Sequence, residues 1–218
     1  MSRNKDWLGA LTGVAAVIVG AIAVIISGEP EEASKGAEKV VAHYAENKDQ
    51  IQISAIVGVV AAALLVFYFG YLRKVLRRAE GDNGTLSVVA LVGAGIIATG
   101  ISIDATLSFA IAEAVDDKVD PTAILAMQAI WDNDFMPIAL GTIIVLFAVG
   151  ISIVRHGALP KWLGWVAIAL GIVSMTPVGF AGVLGLLLWI IITSILLAVR
   201  GAKASTSGTS TPEPTLTT

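Results

Sequence analysis

The feature that most constrains this chain is a series of apolar runs, each close to the length needed to cross a bilayer. They cover residues 7–27, 51–72, a stretch from Leu86 that stays mostly apolar to Val115, 135–154, and a last stretch over 162–199. A helix needs about 20 apolar residues to cross a hydrocarbon core about 30 Å thick. Lipid offers no partner to backbone N–H and C=O groups, so runs of this kind must close their own hydrogen bonds as helices. A soluble fold does not explain them. Only 14% of the residues are charged, against about 25% in ordinary soluble domains, and those charges sit in short segments between the runs.

The sequence therefore predicts an all-α polytopic membrane bundle. Pro177 and Gly179 interrupt the last stretch. Proline lacks an N–H and bends the chain, so a hairpin there divides the stretch in two. The count becomes six transmembrane helices, at about 7–27, 51–72, 86–112, 135–154, 162–177 and 180–199. Arg3 and Lys5 precede the first run as they would in a signal peptide. That run exceeds the usual 7–15-residue signal core, and its exit lacks a small-x-small cleavage pattern, so an uncleaved span is expected.

Two further helices are expected outside the bilayer. Ala37, Val40, Val41 and Tyr44 recur at helical spacing among acids and lysines, which predicts an amphipathic helix over about 31–48 lying on the outer surface. Asp120-Pro121 reads as an N-cap followed by proline at the first helical position. It opens a helix over 121–131 that is too short to cross. The Ser/Thr/Pro-rich tail, 201–218, is expected to be disordered and cytoplasmic.

Orientation follows from Lys and Arg, which concentrate in cytoplasmic loops. With the N-terminus inside, ten of the 14 fall inside: Arg3, Lys5, Arg73, Lys74, Arg77, Arg78, Arg155, Lys161, Arg200 and Lys203. Only Lys35, Lys39, Lys48 and Lys118 fall outside. Both termini are thus expected in the cytoplasm, and the chain in the cell (plasma) membrane as a multi-pass protein. Tyr68, Tyr71, Trp162 and Trp165 fall near the inner interface and Trp131 near the outer, as aromatic belts require. Trp189 falls mid-span and reads as a packing residue.

Several function classes are excluded or left without support. The chain has no cysteine, which removes disulfide, thiolate and Cys-ligated metal chemistry. His43 and His156 fall on opposite sides and cannot share a metal. Phosphate-loop, zinc-protease, serine-hydrolase and dinucleotide motifs are absent from the sequence. No catalytic residue, metal, cofactor or nucleic-acid partner is expected.

Three sets of residues carry whatever signal remains. In the first run Gly9, Gly13, Ala16 and Gly20, continued by Ala23 and Ser27, form a small-residue stripe that lets helix backbones approach. The stripe docks either on neighbouring helices of the same chain or on a partner, making a homo- or hetero-oligomer through the first helix. The third run is the most polar, with Gly95, Thr99, Ser102, Thr106 and Glu113 on one face and Gly93, Gly100, Asp104 and Ser108 on the next.

Asp104 is the one acid inside an apolar run and away from its edges, and an intramembrane acid points to function. It lies 18 residues past Leu86, roughly 27 Å along a helix, so it comes close to the outer boundary. Asp132 and Asp134 open the fourth run at similar depth, where helix capping alone also accounts for acids. If Asp104, Asp132 and Asp134 converge, with Ser108 and Thr106 nearby, the cluster can take a proton or a hard cation. The third set is Arg73, Lys74, Arg77 and Arg78, a cluster that fixes topology and can also hold the head groups of anionic membrane lipids.

The segment Tyr71-Leu-Arg-Lys-Val-Leu-Arg-Arg-Ala-Glu-Gly81, together with Leu159-Pro-Lys-Trp-Leu-Gly-Trp165, resembles a group of uncharacterised six-span bacterial membrane proteins of the domain of unknown function 4386 type. The resemblance extends over most of residues 1–200. It implies a six-span bundle and a bacterial source, and brings no activity, cofactor or site residue with it. Three functional readings follow from the residues. The first is a non-enzymatic membrane protein of structural, sensory or partner-binding role. The second is a small-solute or ion/proton-coupled transporter or channel that uses the polar third helix. The third is an intramembrane enzyme built on outer-side carboxylates.

Overall fold

The computed structural model describes residues 6–81 and 84–206. Arg3, Lys5 and the last twelve residues of the tail, 207–218, lie outside the described residues. Every described element is helical. The helices are α1 (Asp6–Ser27), α2 (Ala37–Glu80), α3 (Thr85–Asp116), α4 (Pro121–Trp131), α5 (Met136–His156), α6 (Lys161–Ser174) and α7 (Phe180–Thr206), with a single 3-10 turn at Ala33–Lys35.

Five helical stretches are long and apolar enough to cross a membrane: Trp7–Ser27, Ala37–Glu80, Thr85–Asp116, Pro121–His156 and Phe180–Gly201. The remaining expected span is α6. At 14 residues it is about 21 Å long, short of a hydrocarbon core. It stops because the chain turns at 175–179, around Pro177. The turn closes its own N–H groups, with Met175 bonding to Ile172 O, Thr176 to Val173 O and Gly179 to Thr176 O.

The helices of the main bundle meet around Leu65, Tyr68, Phe69, Leu72, Val145, Leu146, Val149, Leu163, Trp189 and Ile190, all buried. Trp189 is the packing residue that the sequence suggested, and its indole donates to Leu163 O at 3.0 Å. Tyr68 departs from its expected place in an aromatic belt. It is fully buried, because Thr193 on α7 gives its hydroxyl a partner at 2.6 Å.

Glycine sets the closest approaches. A Cβ on Gly141 of α5 would lie 2.7 Å from Gly93 O of α3, and one on Gly93 would lie 3.1 Å from Gly141 O. The α5–α6 crossing repeats the device. A Cβ on Gly150 would meet Gly164 O at 2.9 Å, and the reverse distance is also 2.9 Å.

The α1 stripe is occupied by the chain itself. A Cβ on Gly9 would strike Tyr71, one on Gly13 would strike Ser194 and Tyr68, and one on Gly20 would touch Ala61, while Ala16 is buried. Ile18, Ile22 and Ile25 remain exposed on the opposite face. Trp7 of α1 lies beside Gly201 of α7, so the start of the first helix and the end of the last share one end of the bundle.

Residues 37–48 depart from the expected surface helix. They are the first part of α2, which runs for 44 residues with one bend at Asn47 (φ −117°, ψ 16°). The bend has a local cause. The Asn47 side-chain amide donates to His43 O at 2.9 Å and competes for the carbonyl that its own backbone N–H would use. Between α1 and α2, over residues 28–36, the chain is not α-helical, and Gly36 (φ +94°) precedes the first residue of α2. The apolar face of 37–48 does not need lipid, because α3 and α4 cover it. Val40, Tyr44 and Ile51 bury against Ile111, Ala112 and Ile124 in a second core separate from the first. At its other extremity the chain stays helical to Thr206, six residues into the segment expected to be disordered.

Candidate functional site

The second core makes a helical cap on one end of the bundle, where α2 begins and α3 ends. Asp120 starts α4 as the sequence predicts. Its Oδ1 accepts from Thr122 N at 2.8 Å and its carbonyl from Ala123 N at 2.9 Å. The Thr122 N–H, first among these contacts, holds the Asp120 carboxyl below the usual carboxylate range. Four residues apart on one face of α4, Ile124 and Gln128 are buried.

Gln128 is the hub of the cap, and sequence reasoning passed over it. Its Oε1 accepts from the Tyr44 hydroxyl at 2.9 Å. Its Nε2 donates to Glu31 O at 2.8 Å and to Asp132 Oδ1 at 2.9 Å. The second carboxylate oxygen of Asp132 accepts from Ala33 N at 2.9 Å. One amide and one carboxylate thus tie α2, α4 and the 28–36 connection together. The signal in the sequence was a lone glutamine one helical turn from Ile124 on an otherwise apolar stripe. Further out, Lys48 pairs with Asp116 at 2.8 Å and Glu113 at 3.3 Å, clamping α2 to α3.

Beneath the hub lie Asp104 and Asp134. Asp104 faces Asp134 and the indole of Trp131. The indole N–H points toward Asp104 without reaching hydrogen-bond geometry, and both Trp131 Nε1 and Asp134 Oδ2 are buried and unpartnered. Tyr44 feels the charges of Asp104 and Asp132. Asp104 and Asp134 are thus near enough for one charge to act on the other, and Asp132 has both oxygens committed to the cap. Among the described residues no three His, Asp or Glu side chains are placed to hold a metal ion.

The hydroxyls expected beside Asp104 go elsewhere. Ser108 Oγ donates to the Asp104 backbone carbonyl at 2.9 Å, and Thr106 Oγ1 donates to Ser102 O at 2.7 Å. Thr99 and Ser102 bond in the same way to carbonyls four residues back. The polarity of the third run is thus largely satisfied within its own helix. Thr106 instead lines a shallow apolar groove with Ala55, Ile56, Val59 and Phe109.

At the opposite end of the bundle, α2 ends on Arg73, Lys74, Arg77 and Arg78, which with Gly81 line a pocket of about 400 Å³. No protein-family model matches the chain, and no curated protein or solved structure matches it either.

Proposed function

We propose that this chain is a multi-pass protein of the cell membrane with six crossings and both ends in the cytoplasm. Its role is non-enzymatic: the helical cap presents a sensing or partner-binding surface on the outer side. The observation that carries this reading is the second hydrophobic core, Val40–Tyr44–Ile51 against Ile111–Ala112–Ile124, locked by Gln128. A chain whose loops served only to join spans would not need a separately packed and hydrogen-bonded cap.

The closeness of Trp7 and Gly201 supports an even number of passes. The distribution of Lys and Arg supports the cytoplasmic placement of that end. At the tip of the α6–α7 hairpin Met175, Val178 and Phe180 are all largely exposed and the turn pairs the N–H groups of Met175, Thr176 and Gly179 within itself. Both features suit a short sixth crossing whose tip stays within the outer leaflet. The six-span bacterial family resembled above fits this architecture.

The test uses a photo-crosslinking residue at Ile130, which is exposed on the cap, and another at Phe67, which is exposed on the bundle flank. A discrete protein or small-molecule adduct at 130, with only lipid adducts at 67, is expected. Lipid adducts alone at both positions overturn the reading. One observation favours a second function, namely the buried, unpartnered Asp134 Oδ2, whose carboxylate acts on that of Asp104. Proton or cation flux in liposomes, lost with Asp104→Asn, would establish the transporter reading instead.

A further inference from the structure

The basic end of α2 is built in a way that topology alone does not require. A helix turns about 100° per residue. Leu72 and Leu76, both fully buried, point into the bundle core. Arg73, Arg77, Lys74 and Arg78 then form a continuous face centred about 150° away around the helix. They line one pocket of about 400 Å³, and no acid is among its described lining residues.

The acid of the same helix end, Glu80, is committed elsewhere. It accepts from the Ser152 hydroxyl of α5 and from Ser87 N of α3. Arg73, Arg77 and Arg78 take no part in the ion pairs found among the described residues. Arg73 Nε is buried without a hydrogen-bond partner. The three guanidinium groups, on two successive turns, repel one another. They match the paired oxygens of a phosphate.

We infer that this pocket binds a phosphate group with net negative charge, as a monoester or diester, at the membrane surface where the second span ends. Two sources supply that chemistry: the head group of an anionic lipid and free phosphate. The site is independent of the role assigned to the cap.

The experiment uses the purified full-length chain in neutral detergent, with native mass spectrometry of retained adducts. Phosphatidylglycerol and phosphatidylcholine are added in separate arms, and a third arm adds millimolar inorganic phosphate to the phosphatidylglycerol complex. Phosphatidylglycerol is expected to be retained at least tenfold more strongly than phosphatidylcholine. With about fivefold per cation near a surface, the triple change Arg73→Gln, Arg77→Gln, Arg78→Gln should abolish that preference, and Arg77→Lys should retain most of it.

Displacement by inorganic phosphate assigns the site to free phosphate, and persistence assigns it to the lipid head group. Equal retention of the two lipids by the unaltered chain overturns the inference whether or not the triple variant folds. So does an unchanged preference in a folded triple variant.

Discussion

The α3–α5 crossing yields a quantitative prediction for Gly141→Ala. The added methyl would sit 2.7 Å from Gly93 O, 2.8 Å from Ile97 N and 2.6 Å from Ile97 Cγ1. Two of these three atoms are backbone, so no rotamer change relieves them. Ordinary carbon contacts begin near 3.4 Å, so the helices must separate by roughly 0.7 Å at their tightest point, the difference between that contact distance and 2.7 Å.

Overpacking of this kind costs about 1–3 kcal/mol. Against it stands the gain from replacing a mid-helix glycine, up to about 1 kcal/mol. The net expectation is a loss of about 1–2 kcal/mol, or a fall of roughly 2–8 °C in Tm for a chain of this size. Gly95 is the control, because a Cβ there meets nothing within 4 Å. Gly95→Ala should leave Tm unchanged or raise it. The chain has no cysteine, so a single reporter Ala148→Cys, at a buried position, reads unfolding by thiol-reactive dye. A Gly141→Ala protein as stable as its parent, measured beside Gly95→Ala in that background, would refute the backbone-contact argument.

Two further predictions concern the cap. Gln128→Ala removes the partners of the Tyr44 hydroxyl and Glu31 O together. At about 1–3 kcal/mol per buried polar group left unsatisfied, amide exchange over residues 31–35 should speed up at least tenfold, with exchange in the bundle unchanged. Unaltered exchange at 31–35 would remove Gln128 from its role as the hub. Asp120 titrates below its ordinary value of 3.8 because it accepts from Thr122 N. Its contribution is therefore fully present above that value and is lost as pH falls through the lowered one. Protection of the Ala123 and Ile124 amides should be constant from neutral pH down to about 4, once intrinsic exchange is corrected, and should drop below that. Asp120→Asn should flatten the dependence, and a drop that persists in that variant would place its origin elsewhere.

The periodicity and length of the apolar runs made the bundle legible, and capping chemistry made α4 legible from Asp120-Pro121. Their limits have one physical origin. A sequence shows which face of a helix is apolar and leaves open what covers that face. Val40 and Tyr44 form the same stripe whether they meet lipid or Ile111 and Ile124, so 37–48 read as a separate surface helix when it is the start of α2 and packs on α3 and α4. Gly93 and Gly141 sit in different runs, and each alone is an unremarkable helix glycine. Only their juxtaposition makes a crossing. The α1 stripe was easier because all of its small residues lie in one run.

The carboxylates show the same limit at the level of the site. Depth along α3 brought Asp104 to the level of Asp132 and Asp134, and depth alone allowed a cluster of three. What separates them is the hydrogen-bond capacity of neighbours that depth does not reveal. Gln128 Nε2 and Ala33 N together occupy both oxygens of Asp132, while Trp131 stops short of bonding to Asp104 and Asp134 keeps one oxygen unpartnered. The acid that resembled its neighbours in sequence is therefore structural, and the other two remain chemically available. Gln128 links the two situations, because the amide that holds Asp132 also receives Tyr44, which lies within the field of Asp104.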